Sequence, residues 1–188
     1  MSTHLPVSGF ILAGGRSRRM GRDKALLDWH GQTLLDHMVN LLSAVTDPVR
    51  VVGRGSLPDH PPSGRGPLSG VITALNASET DANLVVAVDL PLLTCDFLKY
   101  VRSRLERTDQ RILACKIGSY FPLCLGVRRG LLPELQRRLT DGDLSVHRFI
   151  ESLDAEVIQE AELSEAGFDI SIFRNINTPE DYRSILYT

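Results

Sequence analysis

At 188 residues and 20.8 kDa, with 43% hydrophobic and 23% charged residues, the chain has the size and balance of one globular domain, spanning residues 1–188, that can bury a proper core; disordered, collagen-like and coiled-coil classes are excluded. A formal net charge of −2 and only 6% aromatic residues leave neither a broad basic face nor a stacking surface, so nucleic acid is not an expected partner. No apolar run approaches the roughly 20 residues that span a bilayer, and residues 1–6 lack the basic and apolar regions of a signal peptide, so the chain is expected in the cytoplasm without membrane contact.

Residues 9–13 form a short apolar run that predicts a strand, and it runs into LAGGRSRRMGRDKALL at residues 12–27. Gly14 and Gly15 carry no Cβ, so backbone N–H groups there can approach a phosphate closely, and Arg16, Arg18, Arg19, Arg22 and Lys24 concentrate positive charge beside them. A solvated charged surface is the plainer alternative, but it explains neither the paired glycines nor their place at the end of a strand. Residues 33–45 set Leu34, Met38, Leu41, Leu42 and Val45 on one helical stripe, and residues 49–53 read as a second strand. The stretch 54–66 is rich in Pro and Gly and predicts a loop, after which Pro67 opens a helix through residue 77.

Residues 84–88 are continuously apolar, as expected of a strand buried on both faces at the centre of a parallel sheet. A helix at 96–107 carries Phe97, Val101 and Leu105; strands are predicted at 112–115, 121–127 and 156–159, helices at 131–139, 145–153 and 178–186, and an extended stretch at 170–173. Strands alternating with helices predict an α/β three-layer domain with a mostly parallel central sheet, whose ligands bind along the edge formed by the strand C-termini. Cys95, Cys115 and Cys124 are odd in number and lack a C-x-x-C pair, which predicts reduced thiols in or near the core. The five histidines are scattered without metal-ligand spacing, and His37 in its apolar helix reads as a packing or surface residue.

The glycine loop spells neither G-x-x-x-x-G-K-S/T nor G-x-G-x-x-G, which disfavours P-loop ATPases and dinucleotide-binding dehydrogenases. Asp89 ends the most apolar strand and is followed by Leu90-Pro91, so its carboxylate is placed to project into the crevice. One acid facing a basic phosphate loop suits Mg²⁺, which is held by one or two carboxylates, waters and substrate phosphates; capping of the following turn is the alternative role. Asp59 in the Pro-rich loop is a candidate nucleoside contact or an exposed loop acid. The segment GPLSG, residues 66–70, stands at a predicted helix start able to hold an anion or a base edge. Thr178, Pro179 and Asp181 form an N-cap pattern, which leaves Asn175 and Asn177 free to face Asp89 and complete a metal shell or bind a second substrate. No Ser, Cys or His lies in a triad pattern, so direct displacement is expected, with Lys24 and loop arginines such as Arg19 neutralising a polyphosphate leaving group.

LAGGRSRRMGRDKALL, GPLSG, VAVDLP and NINTPEDY, in this order across nearly the whole chain, resemble the bacterial molybdenum cofactor guanylyltransferases of the MobA type. The resemblance implies a Rossmann-like nucleotidyltransferase fold, Mg²⁺ dependence, and transfer of GMP from GTP to the terminal phosphate of molybdopterin cofactor with release of pyrophosphate. It also implies transient contacts with other cofactor-biosynthesis proteins. On this resemblance Leu12, Ala13 and Gly14, with Gly15, contact the guanine nucleotide, Lys24 its phosphates, Asp59 the nucleoside and Asp89 the metal, while Asn175 and Asn177 match asparagines on the pterin or metal side. Two departures stand out: Gly53 replaces an Asn of many members, and Leu144 replaces an Arg, for which Arg148 or Arg128 are candidate substitutes. A related transferase using CTP or loading a sugar phosphate shares the same loop, and a non-catalytic nucleotide-binding regulator is the reading from another class. Binding alone does not require Asp89 opposite Lys24.

Overall fold

The computed structural model describes residues 5–14, 20–55, 57–58, 66–142 and 145–186. In chain order the elements are β1 (Val7–Leu12), a two-residue hairpin of β2 (Asp28–Trp29) and β3 (Gln32–Thr33), α1 (Leu34–Ser43), β4 (Val49–Val52), α2 (Pro67–Ala77), β5 (Ala82–Ala87) and α3 (Cys95–Arg107). They continue as β6 (Ile112–Lys116), β7 (Cys124–Arg128), α4 (Leu132–Asp141), α5 (Val146–Glu151), β8 (Glu156–Gln159), α6 (Glu160–Glu165) and α7 (Pro179–Leu186). Six strands form one sheet in the order β4-β1-β5-β7-β6-β8. β1 pairs in parallel with β4 and β5, and β6 with β8; only β7 runs antiparallel to its neighbours.

Every residue of β5 is buried, as its unbroken apolar run predicts for a central strand covered on both faces. Leu84 and Val86 join one core layer, with Leu34, Met38 and Leu42 of α1 and Phe97, Val101 and Leu105 of α3. Val85 points the other way, into a layer built on Leu68, Val71, Ile72 and Leu75 of α2, Leu135 of α4 and Phe149 of α5. Period-two alternation in the sheet and period-3.6 stripes on the helices thus meet in a three-layer architecture. The helices start where the sequence supplies acceptors: Thr33 Oγ1 accepts the Asp36 N–H at 3.0 Å and Thr94 Oγ1 accepts the Phe97 N–H at 3.1 Å. α4 stops at Gly142, whose φ of 76° is the left-handed cap conformation.

Two expectations need correction, and one helix was not expected. Residues 170–173 are a 3-10 turn, not an extended stretch, because the Asp169 carboxylate accepts the Ser171 N–H at 2.7 Å and caps it. β7 starts at Cys124, since Pro122 in the expected strand has no N–H for the ladder. α6 was not foreseen because its six residues, EAELSE, bury only Leu163 and so carry no apolar stripe. Cys115 and Cys124 are buried and Cys95 half-buried, all as free thiols; burial pushes the Cys115 thiol up to about 12 and Cys124 well above its ordinary value. Among the described residues no helix is long and apolar enough to cross a membrane.

At the opposite end of β5 from Asp89, fully buried Asn83 is satisfied on every side. Its amide nitrogen donates to the carbonyls of Asp81 (3.0 Å) and Val127 (3.2 Å), and its oxygen accepts from Ser78 Oγ at 2.5 Å. Asn83→Leu strands these partners in the core, and urea denaturation is expected to show a loss of about 3 kcal/mol.

Candidate active site

The carboxyl ends of β1, β4 and β5 lie side by side, and their ladders continue past the strands. Ala13 N–H donates to Val52 O at 2.9 Å and Val88 N–H to Leu12 O at 3.1 Å. Leu12, Ala13 and Gly14 are therefore held between the end of β4 and the segment leading to Asp89. Gly53 closes on this turn with φ of 87°, and a Cβ built there would sit 2.4 Å from Gly14 Cα. Two backbones touch, so a side chain at this position has no room in this arrangement. Gly15, Arg16, Arg18, Arg19, Asp59 and Leu144 lie outside the described residues.

Past Met20, which is buried, Asp23 accepts the Ala25 N–H at 3.1 Å and caps the 3-10 turn Lys24–Leu26. From this turn the Lys24 side chain reaches across the sheet edge. Its Nζ lies 3.0 Å from Asp89 Oδ2 and 2.9 Å from Asn177 Oδ1. The Lys24 and Asp89 side chains are only 16% and 19% exposed, so this pair meets in partly desolvated surroundings where charge interactions are stronger than in water. Asn177 is brought in from the far end of the chain: fully buried Ile176 donates its N–H to the Asp89 carbonyl at 3.0 Å, pinning the strap that carries both asparagines. Asn175 is half-buried two residues upstream.

The cap predicted after this strap is present. Thr178 Oγ1 accepts the Asp181 N–H at 3.1 Å, and Asp181 Oδ2 accepts the N–H groups of Asn177 and Thr178, both at 2.9 Å. These bonds, the Asn177 N–H first, hold the Asp181 carboxyl below its usual range; the nearby Lys24 charge adds to them. At the β4 side, α2 presents its N-terminus through Gly66 (φ 83°) and Pro67, with Ser69 Oγ donating back to Gly66 O at 2.8 Å. Arg128 does not belong to the site. It lies opposite Ala82 at the start of β5, the far edge of the sheet, where it pairs with Asp81 at 3.1 Å. Arg148 lies on α5, with its backbone N–H 3.3 Å from Ser145 Oγ.

Three contacts around Lys24 were not read from the sequence. Arg54, directly after Gly53, donates from Nη2 to Asp23 Oδ2. The Arg22 guanidinium lies 5.5 Å over the Tyr182 ring, and the Tyr182 hydroxyl donates to Asp28 O at 2.5 Å. The signal was there in part: Asp is a favoured residue for capping the turn that follows it.

The sequence model of the MobA-like NTP transferase domain matches residues 9–157. The chain belongs to the MobA-like NTP transferase family. It is 31% identical over 185 residues to the molybdenum cofactor guanylyltransferase of Syntrophotalea carbinolica, covering 93% of this chain and 88% of that one. It is 32% identical over 195 residues to the enzyme of the same name from Xanthomonas euvesicatoria, covering 100% and 98%. In structure it resembles molybdopterin-guanine dinucleotide biosynthesis protein A from Archaeoglobus fulgidus, with a TM-score of 0.80, 22% identity and coverage of 96% and 97%. This MobA-like chain is thus a nucleotidyltransferase by family, of the kind that usually needs a divalent metal.

The residues present fit such an ion. An Asp89 carboxylate oxygen and the Asn177 amide oxygen already converge on one cation, the Lys24 ammonium, and both are hard oxygen donors. Among the described residues no cluster of three or more His, Cys, Asp or Glu is placed to hold a metal. The ion would therefore be completed by phosphates and water, the habit of Mg²⁺.

His37 braces this edge from α1. Its Nε2 lies 2.9 Å from Pro91 O and its ring packs against Trp29 with centroids 5.6 Å apart. Because a carbonyl only accepts, Nε2 carries the hydrogen. Burial, aided by the His30 charge, holds the His37 pKa below its ordinary value despite the Pro91 bond, which favours the proton. The unfolded chain takes up this proton more readily, so stability is full above about pH 6.5 and falls as pH drops below it. His37→Gln is expected to flatten that acid loss, read as a smaller difference in melting temperature between pH 8 and pH 5.5.

Proposed function

We propose that this protein transfers the GMP moiety of GTP to the terminal phosphate of molybdopterin cofactor, releasing pyrophosphate, with Mg²⁺ as its divalent ion. The observation that carries the reading is the Lys24 ammonium held between Asp89 and Asn177 at the carboxyl end of the central strand. It joins a phosphate-binding cation, a metal-binding acid and a strap for the second substrate at one point. The names of the relatives in Syntrophotalea and Xanthomonas support the guanine nucleotide and the pterin acceptor.

In this reading the backbone of Leu12, Ala13, Gly14 and Gly15 holds the nucleotide, and Asp59, in the loop before α2, contacts the nucleoside. A phosphate oxygen of the acceptor attacks the α-phosphorus of GTP; the new P–O bond forms as the bond to the bridging oxygen breaks, and its electron pair leaves with pyrophosphate. Lys24 and Arg19 neutralise the charge that gathers on this leaving group. Lys24 exchanges its hold on Asp89 for phosphate oxygens, which frees the carboxylate for the metal. When bound by Asp89 and Asn177, Mg²⁺ supplies charge neutralisation at the phosphates and a template for in-line geometry. Asn175, on the same strap, faces the pterin side.

The test is to incubate the purified protein with Mg²⁺, molybdenum cofactor and each nucleoside triphosphate in turn. Product is expected with GTP, and a preference for CTP would overturn the guanylyl reading. Asp89→Asn is expected to bind GTP within a few-fold of the parent while turnover falls about 100-fold or more. Unchanged turnover would remove Asp89 from the metal site.

A further inference from the structure

Lys24 is presented from a turn of three residues, too short for helical cooperativity to fix the direction of its side chain. Its aim depends on tethers. At the C-terminal end the Leu27 N–H donates to Lys24 O at 3.1 Å, and the Leu34 N–H donates to Leu27 O at 2.8 Å. At the N-terminal end the two oxygens of Asp23 divide the work. Oδ1 accepts the Ala25 N–H at 3.1 Å, and Oδ2 accepts from Arg54 Nη2.

Arg54 is well placed to be the fixed end of this linkage. The Gly53 N–H donates to Leu57 O at 2.7 Å, the Leu57 N–H donates to Arg54 O at 3.2 Å, and the Gly53 backbone rests against Gly14. The arginine is therefore anchored to the same frame as Gly14. From there the linkage runs Arg54, Asp23, capped turn, Lys24, and ends at Asp89 and Asn177.

We propose that Arg54 is a positioning residue: by clamping Asp23 it orders the turn that presents the Lys24 ammonium to a triphosphate, without touching the ligand itself. The inference rests on the reading of Lys24 as a phosphate contact. The Arg54 and Asp23 side chains are 30% and 40% exposed, and ion pairs that wet contribute little to fold stability. Breaking this one leaves the protein folded but its lysine unaimed, so the ordering cost falls on ligand binding.

A double-mutant cycle read by titration calorimetry tests this, with GTP, inorganic tripolyphosphate and guanosine as probes. Arg54→Gln is expected to weaken GTP and tripolyphosphate binding about ten-fold and to leave guanosine binding unchanged; in a Lys24→Ala background it should weaken them no further. Asp23→Asn keeps a capping oxygen but loses the ion pair, and should reproduce Arg54→Gln, while Arg54→Lys should restore most of the affinity. An equal loss in the Lys24→Ala background would show Arg54 contacting phosphate directly and overturn the proposal. So would an equal loss for guanosine, or no loss at all. Tripolyphosphate carries no base, so if the parent protein prefers a triphosphate other than GTP while the tripolyphosphate cycle holds, the guanylyl reading falls and the positioning role stands.

Discussion

One ammonium group organises the reactive edge of this protein. Lys24 Nζ satisfies an acid that the central strand delivers and an amide that the C-terminal strap delivers, at 3.0 and 2.9 Å. A carboxylate that is only 19% exposed needs a counter-charge. Lysine provides one that is mobile, on a flexible stem, where arginine would hold a fixed fork. The contact therefore offsets the charge of the acid through a side chain that can swing away from it.

Everything that surrounds this contact limits where it can form. Asp89 is fixed because β5 is buried along its whole length and paired on both sides. The turn that carries Lys24 is capped by Asp23, which Arg54 holds, and the flanking Arg22 and Asp28 both contact Tyr182. Gly53 and Gly14 meet backbone to backbone, so the floor of the edge beside Leu12 and Ala13 is set by two glycines that have no side chain to move. Rigid elements thus carry the acid and the floor, whereas a tethered turn carries the cation, the division expected where one partner must stay still and the other must exchange.

Much of the fold could be read from the residues because its strong signals are local. The apolar run at 84–88 marks the buried central strand, and the stripes of Leu34, Met38 and Leu42 or Phe97, Val101 and Leu105 mark helices that cover it. Where burial is slight the signal fails: α6 escapes notice with only Leu163 inside, and the turn at residues 170–173 is decided by one Asp169 side chain. At the candidate site, Lys24, Asp89 and Asn177 are legible as chemical types, and the structure brings them together. Arg128 was misplaced because sequence order does not tell which sheet edge a residue occupies; an antiparallel β7 puts it opposite the start of β5. Arg54 was missed for the same reason, since its partner is 31 residues away and only the fold makes them neighbours.

The strap that carries Asn177 has a temporal consequence. The Ile176 N–H bond to the Asp89 carbonyl joins the strap to the central strand 87 residues earlier, and domains assemble as they leave the ribosome, N-terminal parts first. The strands β1, β4 and β5 can pair on a nascent chain before residue 177 has been made, so the amide that shares Lys24 arrives after the acid. A chain cut before the strap would hold Lys24 and Asp89 with no third partner, so the strap is the piece that closes this edge.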